Sequence, residues 1–277
     1  MKNLFQRIAS GLTYLGILAV ALFCGQIAFA IIFSLFIIIA MREYLQITIG
    51  SAFKFGQVVS ILMGVVLFLG LFLYEGGHPI NNFLVLSLPL LLAILFTLTI
   101  YVKDTEEYKK YTFLLSSLFY IALPISFFTF AIFDKNHMFS GKIVLILFIL
   151  QIASDVGAYF FGTLFGQKNG HKLCPKISPH KSWEGFIGGI LVTIAAALII
   201  SSAGMLEISM IKNIVLALII CIFGLFGDLT ESRLKRSFNI KDSGKIMPGH
   251  GGLLDRLDSS ILSFPIAISY LIIIGIL

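Results

Sequence analysis

Charge is what this sequence has least of. Of its 277 residues only 12% are Asp, Glu, Lys or Arg, about half the share usual in a soluble domain. That scarcity excludes an ordinary soluble fold. The three cysteines, Cys24, Cys174 and Cys221, lie far apart with no CxxC, which argues against a disulfide framework and a thiolate metal site. No GxxxxGK[ST] stretch occurs, so the chain has no P-loop. Strict apolar/polar alternation is also lacking, which excludes a transmembrane barrel. What is present is hydrocarbon: 58% of residues are hydrophobic and 27 are Phe. Apolar runs of about 18 residues or more recur, each long enough to cross a bilayer as a helix. The fold class expected is an all-α polytopic membrane protein.

Hydropathy, punctuated by Pro, Gly and charge, predicts nine helices. They fall near 8–23, 26–41, 56–74, 80–101, 112–133, 141–165, 185–203, 210–227 and 257–277. "AVA" (19–21) and "AFA" (28–30) resemble signal-peptide cleavage sites, but no polar mature region follows and the first segment reads as a span. With the N-terminus cytoplasmic, 17 of the 20 Lys and Arg residues, Lys103 and Lys168 among them, fall inside; only Lys135, Lys142 and Lys212 fall outside. This is the positive-inside bias, and an odd number of spans puts the C-terminus outside. The net charge of +6 then faces anionic headgroups and cytosolic phosphates. Residues 1–140 are expected to form helices one to five. Residues 141–277 would form a catalytic region of helices six to nine, with cytoplasmic loops 166–184 and 228–256 on one face.

Those two loops hold most of the remaining polarity. In "GLFGDLTESRLKR" (224–236) helical spacing puts Asp228, Ser232 and Lys235 on one face, and Asp255 and Asp258 share a face at the start of the last helix. Mg²⁺ takes one or two carboxylates and fills its other positions with water and substrate phosphates, which separated carboxylates among lysines would suit; interfacial salt bridging would use the same residues. "PGHGG" (248–252) is a glycine turn able to bring backbone N–H groups to an anion, or simply a helix connection. "SPHKSWEG" (178–185) places Lys181 and Ser182 at a helix N-terminus, an anion site or a plain cap with a snorkelling lysine. Asp155, in "IASDVGAYFFG", is an intramembrane carboxylate and so a functional candidate. Gly162 and Gly166 form a GxxxG suited to helix packing. His171, His180 and His250 are too scattered for a zinc pattern, and His78 and His137 sit in outside loops. Glu43, just past helix two, could reach the site, although nothing local separates it from an interfacial charge.

The stretch "SRLKRSFNIKDSGKIMPGHGGLLDRLD" (232–258) resembles the signature of the phosphatidate cytidylyltransferases, or CDP-diacylglycerol synthases. Its anchors are Ser232, Lys235, Arg236, Lys241, Asp242, Pro248, His250, Gly251, Gly252, Asp255, Arg256 and Asp258. Met247 stands where that family more often has Leu, Ile or Phe. "SDVGAYFFG" and "SPHKSWEGFIGG" resemble the family too, so the likeness covers roughly the C-terminal 45% of the chain. The resemblance implies a Mg²⁺-dependent reaction in which CTP and phosphatidic acid give CDP-diacylglycerol and pyrophosphate. It implies that Asp228 and Asp255 are metal carboxylates with Asp258 beside them, and that Lys235, Arg236 and Lys241 act with them in catalysis. Substrate binding would fall to Asp155, Ser178, Lys181, Ser182, Glu184, Ser232, Asp242, His250, Gly251, Gly252 and Arg256. A monovalent cation such as K⁺ fits beside Mg²⁺, membrane lipids are the surroundings, a homodimer is compatible, and no nucleic-acid partner is implied. The compact chain suits a bacterial inner membrane with the active site on the cytoplasmic side.

The same residues chemically suit this reaction. A phosphatidate oxygen is anionic at neutral pH and needs no strong base; repulsion between two anions is the obstacle, which metals and Lys/Arg reduce. Two rivals remain: a polyprenol kinase or other CTP-dependent lipid enzyme, and an ion-coupled transporter using Asp155 and Asp228 as midplane sites.

Overall fold

The computed structural model describes residues 2–78, 82–102, 105–167, 170–206, 208–247, 249 and 251–277. His250, Pro248, Lys103, Lys168 and the expected start of the fourth helix at 80–81 lie outside the described residues. Helices dominate: α1 Lys2–Phe23, α2 Gln26–Thr48, α3 Lys54–Glu75, α4 Asn82–Leu98, α5 Thr105–Ser117, α6 Leu123–Ser126, α7 Phe128–Ile132, α8 Lys142–Phe165, α9 Trp183–Ser202, α10 Met210–Ser237 and α11 Leu254–Ile273. A π-turn, Leu118–Ala122, joins α5 to α6. It precedes Pro124, which cannot donate a backbone hydrogen bond and obstructs the regular ladder one turn back.

Among the described residues seven helical segments are long and apolar enough to cross a membrane: Gln26–Thr48, Lys54–Glu75, Tyr108–Ile132, Lys142–Phe165, Trp183–Ser202, Met210–Ser237 and Leu254–Ile273. Two shorter apolar helices, Ala9–Phe23 and Ser87–Leu98, accompany them. The protein is an all-α, multi-pass membrane protein.

Several helices outrun their apolar stretches. The helix expected to end at 41 runs to Thr48, so Glu43, expected just past it, lies inside α2. The helix expected to end at 227 runs to Ser237, so Asp228 lies roughly two and a half turns before its end rather than at its exit. Hydropathy marks where a helix leaves hydrocarbon; its backbone ladder can continue while Glu–Lys and Ser–Asp spacings satisfy the polar turns.

The chain divides into two compact units. Residues 1–141 and 240–257 form the first, and 142–239 and 258–277 the second. The first is cored by aromatic rings: Phe29 and Phe33 stack at 4.1 Å between centroids, and Phe33 meets Phe128 at 5.1 Å. Polar pairs tie α2 and α3 to α5, with Tyr44 Oη 2.7 Å from Ser116 Oγ and Ser60 Oγ donating to the Leu114 carbonyl at 2.8 Å.

In the second unit α8 and α9 approach through small residues. A Cβ built on Gly185 would lie 2.8 Å from the Ala158 carbonyl, and one on Gly157 2.8 Å from the Gly188 carbonyl. Small residues permit this closeness, and lipid-facing bundles use it because hydrophobicity alone does not join helices in hydrocarbon. The loop between α8 and α9 is an antiparallel hairpin, β1 Lys172–Cys174 with β2 Ser178–Ser182, paired Lys172 to Ser182 and Cys174 to Ser178.

Candidate functional site

The second unit gathers charge around the last third of α10. A Lys–Glu spacing of four brings Lys235 Nζ to 2.7 Å from Glu231 Oε2, and the Glu231 side chain is wholly buried. One face round, Ser232 Oγ donates to Asp228 Oδ1 at 3.2 Å. Lys181 Nζ lies 2.5 Å from Asp228 Oδ2, both side chains partly exposed. Lys181 is placed there by the hairpin, because Ser182 caps α9 by accepting the Gly185 amide at 3.1 Å. The site thus receives the cation from β2 and the carboxylate from α10.

Asp258 on α11 belongs to the same neighbourhood. Asp228 and Asp155 act on it as like charges and Lys235 as an opposite one. The Ser259 amide donates to Asp258 Oδ1 at 2.6 Å. Gly227 permits α10 and α11 to touch, since a Cβ there would come within 3.1 Å of the Ser259 carbonyl. Asp155 is held from its own helix by Gln151 Nε2 at 3.1 Å, and Gln151 Oε1 in turn accepts from Ser263 Oγ of α11 at 3.2 Å. Of the expected residues, then, Asp155, Lys181, Asp228, Ser232, Lys235 and Asp258 lie in one connected polar cluster.

The hairpin houses Ser178 and Ser182, and Glu184 sits in the first turn of α9. Glu184 Oε1 accepts the His171 amide at 2.9 Å and lies 3.0 Å from His171 Nδ1, so it ties the hairpin's entrance to the start of α9. Arg236 is exposed in the last turn of α10, where a cation also suits the negative end of the helix dipole.

The first unit holds the other motif residues. Asp255, in the first turn of α11, accepts through Oδ2 from the Gly252 amide at 2.8 Å, the Ser243 amide at 2.9 Å and Ser243 Oγ at 2.9 Å. Gly251 has φ +86°, a left-handed conformation that favours glycine. Its carbonyl accepts the Met247 amide at 2.9 Å. Lys241, Asp242 and Arg256 are exposed. Glu43 reaches this segment from α2: Leu253 and Leu254 donate their amides to its two carboxylate oxygens at 3.1 and 2.8 Å.

Reasoning from the sequence missed Glu231, Ser243 and Gln151. The Glu231–Lys235 spacing and the isolated polarity of Gln151 four residues before Asp155 were available signals; for Ser243 no local pattern distinguished it from any loop serine.

Among the described residues no three His, Cys, Asp or Glu side chains are grouped closely enough to hold a metal ion on their own. The donor set nonetheless suits Mg²⁺, which needs one or two carboxylates when phosphates complete its shell. Asp228 and Asp155 both act as like charges on Asp258, which a cation there would offset.

An apolar set of membrane helices bearing a lysine–carboxylate cluster defines a class: a polytopic membrane protein with a charged cluster among its helices. Within that class the match is specific. A family model described as the cytidylyltransferase family matches residues 5–274. The chain is 32% identical over 229 residues to the phosphatidate cytidylyltransferase of Staphylococcus haemolyticus, covering 83% of this chain and 84% of that one. It is 32% identical over 246 residues to the enzyme of that name from Staphylococcus aureus, covering 87% and 89%. With that of Staphylococcus epidermidis it shares 31% over 229 residues, covering 83% and 84%. The chain belongs to the cytidylyltransferase family.

Proposed function

We propose that this protein is a phosphatidate cytidylyltransferase, joining CTP and phosphatidic acid into CDP-diacylglycerol and releasing pyrophosphate. The observation that carries the reading is the family match over nearly the whole chain, and the Lys181–Asp228–Ser232–Lys235 cluster supplies chemistry consistent with it. A phosphatidate oxygen attacks the CTP α-phosphorus, the α–β phosphoanhydride bond breaks, and pyrophosphate departs. Lys181 and Lys235 offset the phosphate charge, with Arg236 and Lys241 adding to the cationic surface. Asp228 and Asp258, with Asp255 three residues earlier in sequence, are the carboxylates that would hold Mg²⁺. The ion would supply charge neutralisation at the phosphates, and K⁺ is a candidate second cation. Ser182 fixes the start of α9 and so the position of Lys181, while Ser232 orients the Asp228 carboxylate.

The charge bias supports nine spans in a bacterial inner membrane, with the N-terminus and the reacting groups cytoplasmic and the C-terminus outside. A reporter fused after Leu277 should therefore read as periplasmic; a cytoplasmic signal would require an even span count. For the activity, purified protein is incubated with CTP, phosphatidate and Mg²⁺ and both products are identified. CDP-diacylglycerol and pyrophosphate in equal amounts support the reading. Release of CDP would make it a lipid kinase, and counterflow of substrate without covalent product would make it a transporter.

A further inference from the structure

Glu43 is a carboxylate that the reaction does not call for. It lies inside α2, 6% exposed, and the two amides it accepts are 210 and 211 residues away in sequence. Its Oε1 accepts the Leu253 amide and its Oε2 the Leu254 amide, while Ser243 Oγ stands 3.4 Å from Oε2. Gly252 makes room for this, because a Cβ there would fall 2.5 and 2.6 Å from the two carboxylate oxygens. The next amides on either side are also accounted for. Gly252 N–H donates to Asp255 Oδ2 at 2.8 Å, and Asp255 N–H donates to Ser243 Oγ at 3.3 Å. Four successive amides at the start of α11, normally orphans of a helix terminus, are thus taken up by three side chains.

Ser243 joins the two acids. Its hydroxyl carries a single proton, and the nearer acceptor is Asp255 Oδ2 at 2.9 Å. Glu43 therefore holds the segment leaving the glycine turn directly, at 253–254, and packs 3.4 Å from the Ser243 hydroxyl that donates to Asp255. A neutral cap would satisfy the same amides at lower desolvation cost. A carboxylate gives stronger, charge-assisted hydrogen bonds, and hence stiffness in the segment that presents Asp255 and Gly251.

We propose that Glu43 is a positioning residue of this enzyme: its carboxylate sets the placement of residues 252–255 and, beside Ser243, of the Asp255 side chain. The inference rests on the cytidylyltransferase reading for its catalytic half and on geometry alone for the clamp.

The test uses the full-length protein in detergent with two variants, Glu43→Gln and Glu43→Asp. Gln keeps the length but turns an NH₂ group toward an amide that needs an acceptor; Asp keeps the charge but retracts by one methylene. Rates are measured against CTP, phosphatidate and Mg²⁺, and hydrogen exchange is followed by mass spectrometry in the variants without substrate. Glu43→Gln should lower kcat by about ten- to hundredfold and raise the Mg²⁺ concentration for half-maximal rate, with the KM for phosphatidate unchanged. Exchange should quicken in the peptide covering 252–255, while α3 and α9 keep wild-type protection. Glu43→Asp should recover part of the rate. Wild-type kinetics and wild-type exchange at 252–255 in Glu43→Gln would overturn the proposal. So would loosened exchange throughout with kcat per folded molecule intact, which would make Glu43 a purely structural group. Should the wild-type protein itself make no CDP-diacylglycerol, the enzyme reading fails instead, and the exchange result alone decides the clamp.

Discussion

The two units hold their carboxylates in opposite ways. In the first, Glu43 and Asp255 are surrounded by backbone N–H groups and one serine hydroxyl. In the second, Asp228 faces a lysine ammonium and a serine hydroxyl, and Asp258 feels two other acids and a lysine. Amides belong to the backbone, so an acid bound to several of them also orders its turn, whatever else it holds. A lysine on a flexible stem can exchange a carboxylate for a phosphate, and the carboxylate can exchange the lysine for a metal ion. The same acidic groups are thus braced by several amides and a serine in the first unit and paired mainly with charged side chains in the second.

The sharpest test of that contrast pairs Asp228→Asn with Asp255→Asn. Both keep size and remove charge, and each is expected to reduce turnover about a thousandfold, equivalent to about 4 kcal/mol. Stability should separate them. Asp228 is partly exposed and paired with one lysine, so its replacement should leave the thermal midpoint nearly unchanged. Asp255 accepts three hydrogen bonds that order its turn, and its replacement should cost about 1.5–3 kcal/mol. Thermal unfolding in detergent beside the rate measurement would check both. Equal destabilisation in the two variants would erase the distinction, and near wild-type turnover in either would remove that residue from the metal site.

A smaller effect is expected of the cations. CTP brings about four negative charges, which basic groups must offset. Lys181→Ala should raise the KM for CTP by about tenfold. Because Asp228 also loses its ammonium partner, the Mg²⁺ concentration for half-maximal rate should not rise with it. Arg236→Ala, on an exposed side chain, should shift the CTP KM in the same direction by less. Steady-state rates over a grid of CTP and Mg²⁺ concentrations separate the two responses. Unchanged CTP kinetics in both variants would return these residues to interfacial anchoring.

Much of this arrangement is legible in the residues themselves, within limits set by distance along the chain. The apolar helices, the Ser182 cap and the Asp228–Ser232 pair are local patterns, decided within four residues by helical period and capping chemistry. The ends of α2 and α10 were not legible from hydropathy, because their last turns are helical without being apolar. The hairpin 172–182 was hidden too: three- and five-residue strands leave almost no period to detect. Least legible was the Glu43 clamp. Position 43 looks like any acid near a helix exit, and its meaning depends on Gly252 leaving space and on amides more than 200 residues away. The Gln151–Ser263 contact between α8 and α11 was out of reach for the same reason, since pairing across 112 residues has no signature in either segment alone.

The smallest change expected to register is Ser232→Ala. Ser232 sits one helical turn after Asp228, and its hydroxyl donates to Oδ1 at 3.2 Å while Lys181 holds Oδ2. The two donors together fix the plane of the carboxylate, and with it the direction in which each oxygen offers its lone pairs. Removing the hydroxyl leaves charge, backbone and Lys181 in place, so only orientation is lost. At 3.2 Å this is a long, part-buried bond, worth about the 1 kcal/mol of an ordinary hydrogen bond, which corresponds to a rate loss of about fivefold. The thermal midpoint should stay near wild type, and Ser232→Thr, which keeps the hydroxyl, should recover most of the rate. Turnover at saturating CTP and phosphatidate, across a Mg²⁺ titration, is the measurement. A wild-type rate in Ser232→Ala would show that Lys181 orients Asp228 alone. A loss approaching that of Asp228→Asn would mean the hydroxyl meets a substrate phosphate directly, moving Ser232 from orienting the carboxylate to binding the nucleotide.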